Sequence, residues 1–250
     1  MITKWNFEVD SNLKNKGIYN LGSVFHGALM EKLSDEMQEL LHNDSRYSPL
    51  KQRLYRLDDK TIWEVVSLDD KLENQLIQIF QNEIVLYLKS HQEYVKLNLI
   101  DKLSISQDQI IKNVYSQDNI KKYFDSKILT PMSFKSNGKN DIFPDLRKIF
   151  RSAMLQFDSF SSDRKLYDAE TLDYLAEYSQ IVDYRLRSTK FYLEGTKIPA
   201  FMGELTIRVN APLPILQLVE VLLRSAVYTG VGVKTSLGMG KIQIKKNKMC

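Results

Sequence analysis

The chain has 250 residues, 43% of them hydrophobic and 26% charged, which is ordinary for a soluble globular protein and leaves room for one large domain or two small ones. Its net charge of +4 gives no global field that would indicate nucleic-acid binding. Cys250 is the single cysteine, which excludes an intramolecular disulfide and a cysteine-based metal site. Because neither a signal peptide nor a run of ~20 apolar residues is visible, we expect a cytoplasmic protein.

The first half of the chain predicts alternating strands and helices. Apolar residues recur with the period of a strand or of a helix in successive segments. These segments are a strand over 3–9, a helix from Tyr19 through Leu33, a short helix from Ser34, a hairpin of strands 53–57 and 61–67, a helix over 71–81, and strands over 84–88 and 95–103. The order strand, helix, hairpin, helix, strand is compatible with a ferredoxin-like sandwich.

The first two predicted helices each carry a histidine. Phe25 and Leu29 belong to the apolar face of the first helix, and His26 falls roughly 100–120° from the centre of that face. His26 is therefore expected to point sideways or outward, which favours a functional role over that of a buried core histidine. His42 follows Leu41 at the C-terminal end of the second helix, where an imidazolium also stabilises the helix dipole, so a structural role for it stays open.

The second half predicts a similar order of elements. A polar and charged stretch over 116–125 indicates a boundary, so we predict an N-terminal domain over 1–124 and a C-terminal domain over 125–250. The predicted elements are a strand over 128–135, helices over 144–157 and 168–179, a hairpin of strands 182–192 and 197–209, a helix over 212–228 and a last strand over 242–244. The predicted fold class is α+β, with two tandem ferredoxin-like (RRM-like) domains.

A glycine-rich loop over residues 230–241 joins the last helix to the last strand. Four of the chain's ten glycines lie in it. It does not match a P-loop, because that motif follows a strand and precedes a helix, and because Thr235 stands where its first glycine should be. The loop carries many backbone N–H groups together with Lys234 and Lys241, and no acid occurs from 230 to 250. These features suit a phosphodiester backbone.

Two stretches carry a resemblance to a known family. The string GVGVKTSLGMGKI, residues 230–242, resembles the C-terminal glycine-rich motif of the Cas-six (Cas6) family of CRISPR-associated endoribonucleases, which cut precursor CRISPR RNA within its repeats. The segment ILTPMSFK, residues 128–135, resembles the Thr-Pro strand that opens the second domain of these proteins. The overall length is also similar, so the resemblance covers most of the chain.

The resemblance implies a set of catalytic residues. Attack of a ribose 2′-hydroxyl on the adjacent phosphate requires a base, an acid and cationic groups, and needs neither a metal nor another cofactor. The family places such residues in the first helical region and the loop after it. This assigns His26 and His42, with Lys51 as the third residue ahead of Arg46 and Tyr47. The residues expected to contact RNA are Lys135, Gly230, Gly232, Lys234, Ser236, Gly238, Gly240 and Lys241.

Three functions compete at this point. The first is a metal-independent endoribonuclease that leaves a 2′,3′-cyclic phosphate and a 5′-hydroxyl. The second is a non-catalytic subunit of the same fold that holds CRISPR RNA, and the third is a small-molecule enzyme whose glycine loop binds an anion. The two histidines favour the first over the second. The implied partners are a precursor repeat RNA and a CRISPR effector complex that receives the product, and a homodimer is compatible with the sequence.

Overall fold

The structure is a computed structural model that describes residues 1–10, 17–43, 47–81, 84–193 and 195–245. The chain divides into two compact units. The first comprises Met1–Ile105 together with Lys234–Gly238, and the second comprises Ser106–Val233 together with the chain from Met239 onward. Arg46, an alternative for the third catalytic residue, lies outside the described residues.

The first unit contains a five-stranded antiparallel sheet in the order β2-β3-β1-β5-β4. Its elements within the described residues are β1 (Ile2–Asp10), α1 (Gly22–Met30), α2 (Asp35–Asn43), β2 (Leu50–Leu57), β3 (Lys60–Ser67), α3 (Asp70–Ile79), β4 (Ile84–Leu88) and β5 (Glu93–Ile105). Strands β2, β3, β1 and β5 have the order of a ferredoxin-like sheet, and the short β4 extends it beyond β5. Strand β2 therefore forms one edge of the sheet.

An aromatic cluster fixes α1 on one face of this sheet. Phe7 on β1 lies beside Trp63 on β3, and the Phe80 ring meets Trp5 and Phe7 edge-on at centroid distances of 5.5 and 4.9 Å. Phe25 of α1 packs on Trp63 at 5.5 Å. All five side chains are buried, so their apolar area and ring contacts stabilise the position of α1 on the sheet.

The second unit contains a four-stranded sheet in the order β11-β6-β10-β9 and a separate two-stranded hairpin. Its elements within the described residues are α4 (Gln107–Tyr115), β6 (Tyr123–Met132), β7 (Phe134–Ser136), β8 (Lys139–Asp141), α5 (Leu146–Ser159), α6 (Ala169–Glu177), β9 (Ser179–Leu193), β10 (Thr196–Val209), α7 (Leu213–Thr229) and β11 (Ile242–Ile244). The four-stranded sheet again has the ferredoxin-like order, so the predicted fold class is confirmed.

Helix α4 and the hairpin of β7 and β8 were not predicted from the sequence. Ser106 caps α4 through a capping box with Gln109, a local signal that was present in the sequence. The strand predicted over 128–135 ends at Met132, and the new hairpin turns at Asn137 and Gly138, both with positive φ, as an Asn-Gly turn requires.

The division into compact units differs from the predicted boundary after residue 124 in two ways. Residues 106–124 group with the second unit, where α4 lies against α7. Residues Lys234–Gly238 group with the first unit, although they are distant from it in sequence. Composition identifies the polar segment before residue 125, but tertiary contacts determine which of the two units that segment packs against.

Candidate active site

Most backbone N–H groups of the glycine-rich loop donate hydrogen bonds within the protein. Gly230, Val231, Gly232, Val233, Leu237, Gly240 and Lys241 donate to Ala226 O, Gly240 O, Ser152 Oγ, Ser133 O, Lys234 O, Pro131 O and Thr130 Oγ1, respectively. An amide engaged in this way must break that bond before it can bind a phosphate. The assignment of Gly230, Gly232 and Gly240 as amide donors to RNA therefore does not fit the structure.

The glycines instead allow close backbone contacts. A Cβ atom at Gly232 would lie 2.4 Å from the Ser133 carbonyl oxygen, and one at Gly240 would lie 2.0 Å from that of Val231. Both glycines have positive φ, which side chains disfavour. The high glycine content of the motif thus reflects the path of the loop, a cause that sequence spacing could not separate from phosphate binding.

Residues Lys234–Gly238 lie along the β2 edge of the first unit. The buried Gln52 side chain holds them there, since its Nε2 donates to the carbonyl oxygens of Gly22 (2.8 Å) and Ser236 (3.2 Å). Trp63 Nε1 donates to Gln52 Oε1 at 3.0 Å, which fixes the orientation of the amide. One glutamine therefore ties the start of α1, strand β2 and the loop segment together.

Lys51 lies on β2 with its ammonium group buried next to this loop segment. Its side chain is 1% exposed, and Nζ donates to Thr235 Oγ1 at 3.0 Å. The Tyr47 ring centroid is 5.9 Å from Nζ. Burial lowers the pKa of Lys51 from 10.5 to about 7, and the positive charge of Arg53 contributes in the same direction. A lysine with this pKa exchanges its proton near neutral pH.

Arg53 is paired with an acid, which limits its effect on Lys51. Alternation along β2 places Lys51 and Arg53 on the same face of the strand. Arg53 Nε donates to Glu64 Oε1 at 2.7 Å, both side chains are at most 1% exposed, and the Tyr55 hydroxyl donates to Glu64 Oε2 at 3.2 Å. This buried network was not predicted from the sequence, because a charged residue in a strand gives no sign of burial.

His26 lies on the stripe of α1 that faces the loop segment. Residues i and i+4 share a helix face, so His26 lies one turn after Gly22 on the same face of α1. Gly22 itself lies close to the loop segment, since a Cβ atom there would be 2.3 Å from Leu237 O. The sequence predicted that His26 points sideways or outward from the apolar face, and the His26 side chain is half-buried. Burial lowers its pKa from 6.5 to about 4, and the neighbouring His42 contributes in the same direction. His26 is therefore neutral at pH 7.

The structure brings His42 close enough to His26 for this electrostatic interaction. His42 lies in the last turn of α2, and its side chain is exposed. The first unit thus contains the three residues predicted to be catalytic. The α1 stripe of His26 and the β2 position of Lys51 both adjoin the loop segment Lys234–Gly238.

Comparison with known proteins shows one family over most of the chain. The family model for "CRISPR-associated endoribonuclease Cas6" matches residues 127–242. A Cas6 endoribonuclease of Streptococcus thermophilus is 33% identical over 236 residues, which cover 92% of this chain and 93% of that protein. The chain belongs to the Cas6 family of CRISPR-associated endoribonucleases.

Solved Cas6 structures share the fold. The Thermus thermophilus Cas6 structure has a TM-score of 0.72 at 19% identity, covering 98% of each chain. Another Cas6 structure, of a product complex, has a TM-score of 0.75 at 18% identity, covering 98% of this chain and 100% of that one. These likenesses confirm the predicted fold class of two tandem ferredoxin-like domains.

The residues of this Cas6 chain predicted to bind RNA fall into two groups. Lys135 on β7 and Lys234 in the loop are exposed, and Ser236 is half-exposed. Lys241 is 3% exposed, and its Nζ donates to Val227 O at 2.9 Å. A phosphate contact therefore does not fit Lys241, whose ammonium group instead binds the last turns of α7. Gly238 is buried and has φ of 111°, so it too shapes the loop.

Two contact residues of the candidate site, Thr235 and Gln52, were not predicted from the sequence. Thr235 was noted only as a mismatch to a P-loop, and Gln52 was not considered. Both lie far from their partners in sequence, as the Lys51–Thr235 bond joins residues 184 positions apart. No local pattern encodes such a contact. Tyr47, in contrast, was an alternative to Lys51 and lies beside it.

Neither a membrane span nor a metal-ligand cluster is found in the described ranges. No helix there combines the length and the apolar character needed to cross a bilayer. Among the same residues, no three or more His, Cys, Asp or Glu side chains are grouped so that they could hold a metal ion.

Proposed function

We propose that this protein cuts precursor CRISPR RNA within its repeats, without a metal ion, by attack of a ribose 2′-hydroxyl on the adjacent phosphate. The products are a 2′,3′-cyclic phosphate and a 5′-hydroxyl, and the processed RNA passes to a CRISPR effector complex. The observation that carries this proposal is the buried Lys51 ammonium, with its pKa lowered to about 7, in the unit that also contains a neutral His26. Two groups with shifted pKa values, one able to donate a proton and the other able to accept one at neutral pH, are typical of acid–base catalysis.

We assign His26 as the general base. Its pKa of about 4 means that the imidazole is unprotonated at neutral pH and able to accept the 2′-hydroxyl proton. The negatively charged RNA would raise this pKa on binding, since a nearby anion favours the protonated form. The proton affinity of His26 then increases where it is needed.

We assign Lys51 as the general acid for the 5′-oxygen leaving group, a role that requires RNA binding to uncover its buried ammonium group. An ammonium with a pKa of about 7 releases its proton far more readily than an exposed lysine. The same charge would stabilise the phosphate as negative charge develops in the transition state. His42, exposed beside His26, is assigned to contacts with the scissile phosphate.

The proposed RNA contacts are those side chains that are accessible. Lys234 and Ser236 lie next to Thr235 in the loop segment, and Lys135 projects from the hairpin of β7 and β8. Exposed lysines bind phosphates through charge and counterion release. Structures of similar fold include a Cas6 product complex and a Cas6 substrate mimic complex, which supports substrate binding by the fold.

Cleavage is expected to survive metal chelation. Imidazole and ammonium groups supply both proton transfers, so a labelled repeat RNA incubated with the protein in EDTA should be cut at one position. The 3′ end of the upstream fragment should resist labelling until the cyclic phosphate is opened and the resulting phosphate is removed. Loss of cutting in EDTA with recovery in Mg²⁺ would contradict the metal-independent mechanism. Tight binding without cutting in either condition would support the non-catalytic RNA-binding subunit instead.

Replacement of Lys234 and of Lys241 should have different consequences. Lys234→Ala should reduce the slope of log affinity against log salt by about 0.7 for a single-stranded contact, because one phosphate contact is lost. Lys241→Ala should leave that slope nearly unchanged and lower the free energy of unfolding, because the buried ammonium binds a backbone carbonyl. Salt titrations of repeat binding and denaturant unfolding measure the two effects. An unchanged slope for Lys234→Ala would remove this lysine from the RNA contacts.

A further inference from the structure

The contact between Thr235 and Lys51 links the glycine-rich loop to the proposed general acid. Thr235 Oγ1 accepts the hydrogen bond from Lys51 Nζ at 3.0 Å, and the two residues are 5% and 1% exposed. Buried at this depth, an ammonium group depends on protein acceptors in place of water. The position of Thr235 therefore affects both the orientation and the protonation of Lys51.

The backbone around Thr235 holds its hydroxyl in place. Lys234 has φ of 55° and ψ of 36°, and it begins a single 3-10 turn over Thr235–Leu237 that Leu237 N closes on Lys234 O. Gln52 Nε2 fixes the next carbonyl, that of Ser236. Since both flanks of Thr235 are hydrogen-bonded, the hydroxyl is presented to β2 by a rigid segment.

We propose that Thr235 is a positioning residue, whose hydroxyl orients the Lys51 ammonium and sets how readily it releases its proton. The inference rests on the proposed role of Lys51 in cleavage. It also gives the loop segment a second purpose beside the proposed RNA contacts of Lys234 and Ser236, because Thr235 between them contacts the proposed proton donor directly.

Other charged and titratable groups act on Lys51 as well. Arg53 on the same strand disfavours the ammonium, while Glu64 on β3 binds Arg53 and offsets part of its charge. The phenol ring of Tyr47 faces Nζ, and His26 lies on α1, which packs against β2. These groups keep their identity when the Thr235 hydroxyl is removed, so the substitution tests the contact of that hydroxyl with Lys51.

The test compares Thr235→Val, which keeps the shape and removes the hydroxyl, with Thr235→Ser, which keeps the hydroxyl. A hydrogen bond to the ammonium favours its charged form, so Thr235→Val should lower the Lys51 pKa by about one further unit. Titration of the lysine Cε and Nζ resonances of the labelled full chain, with the Lys51 signal identified by its loss in Lys51→Met, measures this shift without RNA. Thr235→Ser should titrate as the wild type does.

Cleavage kinetics give the second readout. If Lys51 is the acid, Thr235→Val should cut about tenfold more slowly at pH 8 and much less so at pH 5, because one unit of pKa is tenfold in the protonated fraction on the alkaline side. The KM for the repeat RNA should change less than twofold, and Thr235→Ser should restore the rate. The matched control is Thr206→Val, which removes a hydroxyl that bonds another charged side chain, Asp125 Oδ1, at 2.6 Å in the second unit.

The outcomes separate this inference from the proposed function. An unchanged Lys51 pKa in Thr235→Val overturns the positioning role. A lowered pKa with an unchanged pH dependence of cleavage supports the positioning role and removes Lys51 from the reaction. Should Thr235→Val fail to fold, Thr235→Ala against Thr235→Ser makes the same comparison.

Discussion

His26→Ala is expected to abolish RNA cleavage and to leave binding of the repeat nearly unchanged. A positioned base contributes about 10²–10⁴-fold to a rate, and the neutral imidazole of His26 is the proposed base. Affinity depends chiefly on phosphate contacts, to which a neutral imidazole adds little. Single-turnover cleavage and equilibrium binding on the same RNA measure the two quantities.

The control for His26→Ala is His91→Ala. His91 is exposed in the turn between β4 and β5, where its Nδ1 lies 2.9 Å from Ser90 Oγ, so its removal should leave the rate unchanged. Because the His26 side chain is half-buried, its truncation should cost about 1 kcal/mol of stability or less. Wild-type cutting by His26→Ala would place the base elsewhere. A joint fall of rate, affinity and melting temperature would make His26 structural.

Lys51→Met should abolish cleavage and at the same time stabilise the protein at neutral and acidic pH. The acid is lost from the reaction, which should slow cleavage by about 10²-fold or more. Stability rises because the folded state no longer holds a buried ammonium, whose lowered pKa corresponds to a penalty on the order of 5 kcal/mol below pH 7. Methionine fills nearly the same volume without a charge.

The stability advantage of Lys51→Met over the wild type should decrease as the pH rises. Above pH 7 the unfolded chain keeps a proton on Lys51 that the folded protein has released, so wild-type stability gains with rising pH until about pH 10.5. The advantage of the variant is thus complete below pH 7 and disappears between pH 7 and 10.5. Denaturant unfolding across this range measures it.

Lys135→Met is the matched control for Lys51→Met. Lys135 is exposed on β7, so its replacement should change the free energy of unfolding only slightly. This small change should be the same at each pH. A Lys51→Met variant that is less stable than the wild type at pH 6 would show that the hydrogen bond to Thr235 outweighs the burial of the charge. Full cleavage by this variant would exclude Lys51 as the acid.

Most of the order of helices and strands, and the family, could be predicted from the amino-acid sequence. Alternation and helical spacing located most helices and strands, since apolar periodicity follows directly from which face of each element is buried. The glycine motif and the Thr-Pro strand indicated the Cas6 family, which the comparison with the Streptococcus thermophilus protein confirmed. His26, His42 and Lys51 were also chosen from sequence, and their catalytic roles remain proposals.

The hydrogen bonds of the glycine-rich loop and the burial of Lys51 follow from tertiary contacts, which the sequence does not show. The seven amides that donate within the protein, the buried Lys241 and the Lys51–Thr235 bond all depend on contacts between residues distant in the chain. Lys234 and Lys241 look alike in sequence, yet one is exposed and the other buried. A lysine's pKa follows from its burial and its neighbours, and neither is encoded in a local pattern.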